Sequence, residues 1–177
     1  MDSDKSYKMY LKHLKGFVFD IDGVLTNGSI LVTTSGELLR SMSIRDGYAL
    51  KTAIEGGFKI GIISGGSNEG VRSRLEGLGI KDIYLGTKNK IEALEAFMAT
   101  HNLERKDLAY MGDDLPDFDV MQNIGLACCP QDAAPEIKGI CHYISHKNGG
   151  DGAVRDILEQ TLKIQEKWQI SASSQFD

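Results

Sequence analysis

Phe17-Val18-Phe19-Asp20-Ile21-Asp22-Gly23-Val24-Leu25-Thr26 is the stretch whose reading decides the fold of this chain. The apolar residues up to Phe19 are consecutive rather than alternating, the pattern of a strand covered on both faces. Asp20 and Asp22 follow at a spacing of two, which on extended chain turns both carboxylates to one side. Two carboxylates crowded at the end of a buried strand repel each other and lose hydration, and a cation or a shared proton relieves both costs. Gly23 then permits a tight turn. Alone, the stretch also fits a plain turn with one capping and one solvated acid. The surrounding sequence decides between the two.

Downstream, Asn27-Gly28 is a turn signal. The apolar runs at 30–32 and 38–44 flank a second turn, Thr34-Ser35-Gly36-Glu37, and predict a two-stranded flap over 27–45. Residues 48–54 are apolar at helical spacing and are stopped by Gly56-Gly57. Further on, strands are predicted at 58–63, 82–85, 108–111, 125–129 and 142–144. Helices are predicted at 69–77, 89–101, 118–123, 133–138 and 153–168, the last with Val154, Ile157, Leu158 and Leu162 on one face. Alternating strands and helices imply an α/β fold, a doubly wound and mostly parallel sheet with helices on both faces. Ligands bind such sheets at the carboxyl ends of the strands. Asp20 and Asp22, Ser64-Gly65, the loop at 88–90, and Asp113-Asp114 all fall at such ends, so one cleft gathers them.

The 177 residues are 41% hydrophobic and 25% charged, which suits one globular domain, placed at 15–168. Residues 1–14 are read as a lead-in, whose polar stretch 1–8 lacks the apolar core of a signal peptide and is expected to be disordered, as is a Ser-containing tail over 169–177. The net charge of −5 and the lack of a basic patch give nucleic-acid binding no support. No apolar run is long enough to span a membrane. Cys128, Cys129 and Cys141 are odd in number and lack a CxxC spacing, so they read as reduced residues of a cytoplasmic protein.

The residues at the strand ends are the parts of a phosphoryl-transfer site. Asp20, Asp22, Asp113 and Asp114 form an acidic set suited to Mg²⁺. Ser64 supplies a hydroxyl, Gly65 and Gly66 leave amides open to an anion, and Lys90 supplies a positive charge. One carboxylate can attack phosphorus, and a second, two residues on, can protonate the leaving oxygen and later activate water. Blander roles compete: Ser64 as a cap of the next helix, Lys88 in place of Lys90, Asp117 as a helix N-terminal acid, and Arg45-Asp46 as a helix start. The four histidines lack metal-ligand spacing, which argues against a zinc site.

In order along the chain, Asp20-Ile21-Asp22-Gly23-Val24-Leu25-Thr26, Ser64-Gly65, Lys90 and Gly112-Asp113-Asp114-Leu115-Pro116-Asp117 resemble the four motifs of the haloacid dehalogenase superfamily. Leu25-Thr26-Asn27-Gly28, Ser43-Ile44-Arg45-Asp46-Gly47-Tyr48 and Gly149-Gly150-Asp151-Gly152-Ala153-Val154-Arg155 narrow the likeness to its 3-deoxy-D-manno-octulosonate 8-phosphate (KDO 8-phosphate) phosphatases. The resemblance implies a cytoplasmic, Mg²⁺-dependent phosphomonoesterase of lipopolysaccharide precursor synthesis, working through an aspartyl-phosphate. It implies Asp20 as nucleophile and metal ligand, Asp22 as general acid/base with its carbonyl on the metal, and Asp113 as the third protein ligand. Asp114 and Asp117 match acidic positions that bind or orient metal waters. Ser64 and Lys90 match the phosphate-binding pair. It also implies a capless subunit in a homotetramer, each flap closing a neighbour's site, and the short intervals between motifs leave no room for a separate lid.

One position departs from the pattern. Members acting on KDO 8-phosphate commonly carry arginine after the motif-II glycine, and a group acting on nine-carbon keto-sugar acid 9-phosphates carries glutamate; this chain has Gly66. Arg45, Arg72 and Lys147 are the sequence candidates for the missing sugar contact. Two other classes are weighed: a phospho-receiver module, which places its phospho-acceptor on a later strand than its acidic pair, and a non-catalytic domain of the superfamily, which usually loses one of the acids.

Overall fold

Gly16–Phe19 forms β1, buried at every residue. The computed structural model describes residues 6–168 and sets β1 inside a six-stranded sheet. The other strands are β4 (Lys59–Ile63), β5 (Asp82–Tyr84), β6 (Leu108–Met111), β7 (Leu126–Cys129) and β8 (Tyr143–Ile144), in the order β5-β4-β1-β6-β7-β8. Every pairing in the sheet is parallel. The chain builds outward from β1 to one side, then returns to build the other, so the order reverses between β1 and β6. Phe19 is level with Ile62 on one side and Met111 on the other. Asp20, Ser64 and Asp113 therefore leave the sheet at one edge, beside the switch point where such folds bind ligands.

Alternate residues of the strands feed two cores. Phe17, Phe19, Ile60, Ile62 and Met111 pack with α1 (Lys8–Leu11), α2 (Ile44–Glu55), α3 (Glu69–Gly77) and α7 (Ala153–Ile164). Val18, Ile63, Tyr110 and Ala127 pack on the opposite face with α4 (Lys90–His101), α5 (Phe118–Met121) and α6 (Pro135–Ile140). Gly61 in β4 leaves room for Phe97 of α4, since a Cβ there would lie 3.1 Å from the ring.

The flap is shorter than the sequence suggests. β2 (Leu31–Val32) and β3 (Leu38–Leu39) pair antiparallel as a separate ribbon with all four residues exposed. The helix expected from 48 begins at Ile44 instead, because Ser43 caps it by accepting from the Asp46 N–H at 3.3 Å. Asp46, read as a helix start or a site residue, is buried and accepts from the N–H groups of Arg155 at 2.7 Å and Gly152 at 3.3 Å. It caps α7 across the fold. The lead-in over 1–14 needs correction: from Tyr7 onward it belongs to the domain. Leu11 and Leu14 are buried, and the Tyr7 ring lies 4.4 Å from that of Tyr143, tilted by 30°, while the Tyr7 hydroxyl donates to Gln160 at 2.7 Å. Apolar residues at 7, 10, 11 and 14 follow helical spacing and cover one end of α7. The tail over 169–177 lies outside the described residues.

Candidate active site

Asp20 is the first residue beyond β1, and its N–H donates to the Met111 carbonyl at 3.1 Å. Its carboxylate accepts from the Ile21 N–H at 2.7 Å and from Lys90 Nζ at 2.7 Å. The Ile21 carbonyl then takes the N–H groups of Val24, Leu25 and Thr26 in a tight turn. Gly23 has φ +86°, and a Cβ there would collide with the Asp113 carboxylate, so glycine is required twice over.

On the neighbouring strand, Asp114 caps a 3₁₀ turn, Leu115–Asp117, by accepting from the Leu115 N–H at 2.8 Å. That turn folds Asp117 back beneath the strand end. Asp117 is 1% exposed and accepts from Lys90 Nζ at 2.7 Å, Tyr110 Oη at 2.8 Å and the Asp113 N–H at 3.3 Å. A Cβ at Gly112 would come within 2.5 Å of Asp117, so the turn needs that glycine too. Carboxylate oxygens of Asp20, Asp113 and Asp117 thus lie within 4.8 Å of one another. Of the metal set read from the sequence, Asp20 and Asp113 are brought together. Asp114 is exposed and engaged as a cap, and the third carboxylate of the cluster is that of Asp117.

The charges in this cluster do not balance. Burial, then the neighbouring Asp117, push the Asp20 carboxyl up to about 6 against the opposing pull of Lys90. Burial, then Asp117 and Asp20, push Asp113 up to about 7. Burial disfavours the Lys90 ammonium, but Asp117 and Asp20 outweigh it and hold the amine above its ordinary value. Three carboxylates and one ammonium leave surplus negative charge on hard oxygen donors, the environment that suits Mg²⁺.

The anion-binding side is assembled from β4 and α4. Ser64 is buried just past β4, and its hydroxyl accepts from the Gly66 N–H at 3.2 Å. Capping of α3 falls to Asn68, which accepts from the Val71 N–H at 3.0 Å, so Ser64 is free of that duty. Gly65 is exposed, and Lys90 rather than the exposed Lys88 is the buried lysine.

Asp22 is half-buried, and its carboxylate is gripped by Arg40, Nε to Oδ1 at 2.7 Å and Nη2 to Oδ2 at 3.0 Å. The three sequence candidates for sugar contact, Arg72, Arg45 and Lys147, lie elsewhere. Arg72 sits 3.8 Å from Glu69 on its own helix. Arg45 lines a cavity of about 550 Å³ with His146, Lys147 and Arg155, a cavity whose lining includes none of Asp20, Ser64, Lys90 or Asp113. Sequence reasoning missed Arg40 and Tyr110 and treated Asp117 as secondary. The Asp117 spacing, four residues after Asp113 across a proline, was the available signal; nothing marked Arg40.

A family model of haloacid dehalogenase-like hydrolases matches residues 79–157. The chain is 34% identical over 156 residues to the 3-deoxy-D-manno-octulosonate 8-phosphate phosphatase of Salmonella typhi, covering 88% of this chain and 83% of that one. It superposes on the Yersinia pestis phosphatase of the same name with a TM-score of 0.90, at 32% identity and over 92% and 88% of the two chains. The Moraxella catarrhalis phosphatase, solved in complex with a magnesium ion, a phosphate ion and KDO, superposes with a TM-score of 0.87 at 33% identity, over 90% of this chain and 91% of that one. The chain belongs to the haloacid dehalogenase-like hydrolases, in the family of the 3-deoxy-D-manno-octulosonate 8-phosphate phosphatases.

Proposed function

We propose that this chain hydrolyses KDO 8-phosphate to KDO and inorganic phosphate. The observation that carries the reading is the cluster of buried Asp20, Lys90 and Asp117 with half-buried Asp113 at the switch point, in a chain alike over most of its length to phosphatases of that substrate. Asp20, Asp113 and Asp117 would hold Mg²⁺, with the Asp22 carbonyl assigned by resemblance. Bound there, the ion would polarise the phosphoryl oxygens and neutralise their charge.

Asp20 attacks phosphorus: its carboxylate oxygen bonds to phosphorus as the bond from phosphorus to the sugar oxygen breaks. Asp22 delivers its proton to that leaving oxygen. Water then attacks the aspartyl-phosphate, its proton passes to Asp22, and phosphate leaves with Asp20 restored. Lys90 holds the Asp20 carboxylate in place and supplies charge at the oxygens, with the Ser64 hydroxyl and the Gly65 N–H receiving them.

The exposed apolar flap residues Leu31, Val32, Leu38 and Leu39 support a homotetramer in which flaps cover neighbouring sites. Light scattering that shows an active monomer would contradict it. Three free thiols and, among the described residues, no helix long and apolar enough to cross a membrane agree with a cytoplasmic step of lipopolysaccharide precursor synthesis. Gly66 favours keeping a nine-carbon keto-sugar acid 9-phosphate as the second substrate class. Phosphate release with Mg²⁺ from KDO 8-phosphate, from nine-carbon 9-phosphates and from simple sugar phosphates decides. Preference for KDO 8-phosphate supports the proposal, and preference for a nine-carbon substrate replaces it.

A further inference from the structure

We propose that Arg40 binds the carboxylate of the substrate, an assignment that rests on reading the substrate as a sugar-acid phosphate. The flap around Arg40 is exposed, yet its own side chain is 8% exposed because it turns inward over Asp22. It joins Ile21, Asp22, Ser64, Gly66 and Asn68 around one small cavity, in which it is the cation. Gly66 offers no side chain there. A Cβ at 66 would lie 3.5 Å from Arg40 Nη2 and 3.3 Å from Asp22 Oδ2, so the guanidinium fills the space that glycine leaves. The base of the flap is fastened beside it, where Asn68 Nδ2 donates to the Leu38 carbonyl at 3.1 Å.

The two short contacts to Asp22 show a guanidinium fork already set to grasp a carboxylate, the geometry arginine supplies and lysine does not. Lys90 is committed to Asp20 and Asp117 at the phosphoryl end of the site, so a sugar carboxylate there needs a different cation. The carboxylate of the incoming sugar acid takes the place of the Asp22 carboxylate on Arg40, which frees Asp22 to face the leaving oxygen. Substrate recognition and release of the acid/base group are then one exchange.

The test compares kcat/KM for KDO 8-phosphate with that for para-nitrophenyl phosphate, which has no carboxylate, in the Mg²⁺-loaded wild type, Arg40→Gln and Arg40→Lys. The ratio of the two values falls at least about tenfold in Arg40→Gln, mainly through KM, and less in Arg40→Lys. Adding Gly66→Arg to Arg40→Gln returns a guanidinium to the same space and restores part of the ratio. An unchanged ratio in Arg40→Gln, whatever the absolute loss, overturns the assignment and leaves Arg40 acting through Asp22 alone. A wild type that hydrolyses para-nitrophenyl phosphate but not KDO 8-phosphate sinks the substrate reading instead. Inhibition of that hydrolysis by free KDO and by nine-carbon keto-sugar acids then reads Arg40 by itself. Weaker inhibition of Arg40→Gln supports it, and equal inhibition overturns it.

Discussion

Lys90 Nζ stands 2.7 Å from Asp20 Oδ2, and both groups are almost wholly buried. The contact joins the first residue past β1 to the first residue of α4, so it depends on the whole of the intervening chain being folded. Because Lys90 touches Asp117 at the same distance, it is the counter-charge for two carboxylates at once.

Lys90→Met keeps the volume and removes that charge. Phosphate release should fall by about 10²–10³-fold, the loss typical of deleting one preorganised donor. Without metal, the variant should also lose about 3–5 kcal/mol of stability in urea unfolding, since two carboxylates remain buried and unpaired. A variant with normal stability and normal turnover would remove Lys90 from the site.

The raised carboxyls give the metal-free protein a definite pH profile. Asp20 at about 6 and Asp113 at about 7 hold protons in the folded state at pH values where the unfolded chain, with Asp near 3.9, has lost them. The folded state binds the extra protons, so metal-free stability falls as pH rises from about 4 to about 7. Mg²⁺ needs both groups deprotonated, so the stabilisation it adds grows over the upper part of that window. Melting temperatures in EDTA and in Mg²⁺, from pH 5 to pH 8, check both trends. Equal stabilisation by Mg²⁺ at the two ends would contradict them.

Asp117 and Asp114 separate by the same logic. Asp117→Asn alters a carboxylate inside the cluster and should weaken Mg²⁺ by at least about 10–100-fold, the cost of losing even a group that only orients a ligand. Asp114→Asn touches an exposed cap and should change the Mg²⁺ requirement far less. Activity titrated against Mg²⁺ in the two variants measures the difference, and the reverse order would restore Asp114 to the centre.

Asp46 is a structural residue on this account. Asp46→Ala removes the acceptor for two N–H groups at the start of α7 and should cost about 1–2 kcal/mol. Denaturant unfolding reads the loss. A collapse in kcat with stability intact would instead place Asp46 in the chemistry.

The strand ends were legible because each carries its own signal. Asp20 and Asp22 follow an apolar run, Ser64-Gly65 follows another, and Asp113 follows a third, so the alternation of strands and helices was enough to collect them. The misjudged residues depend on how short turns fold. Asp114 and Asp117 differ by three residues, and only the 3₁₀ turn between them shows which caps and which points inward. Arg40 sits just after a two-residue strand in a flap that looks like solvent-facing chain. Its inward course follows from the empty space at Gly66 and from the charge on Asp22, neither of them local to it in sequence. The lead-in at 7–14 was misread because its apolar residues are few, and their helical spacing has meaning only against α7.

The most direct test of the central claim is Mg²⁺-dependent phosphate release from KDO 8-phosphate by the wild type and by Asp20→Asn, with the fold of the variant verified by its melting transition. The account predicts turnover by the wild type that is lost in EDTA and absent in Asp20→Asn. Turnover that survives Asp20→Asn would show that Asp20 is not the nucleophile, and the mechanism built on it would fall.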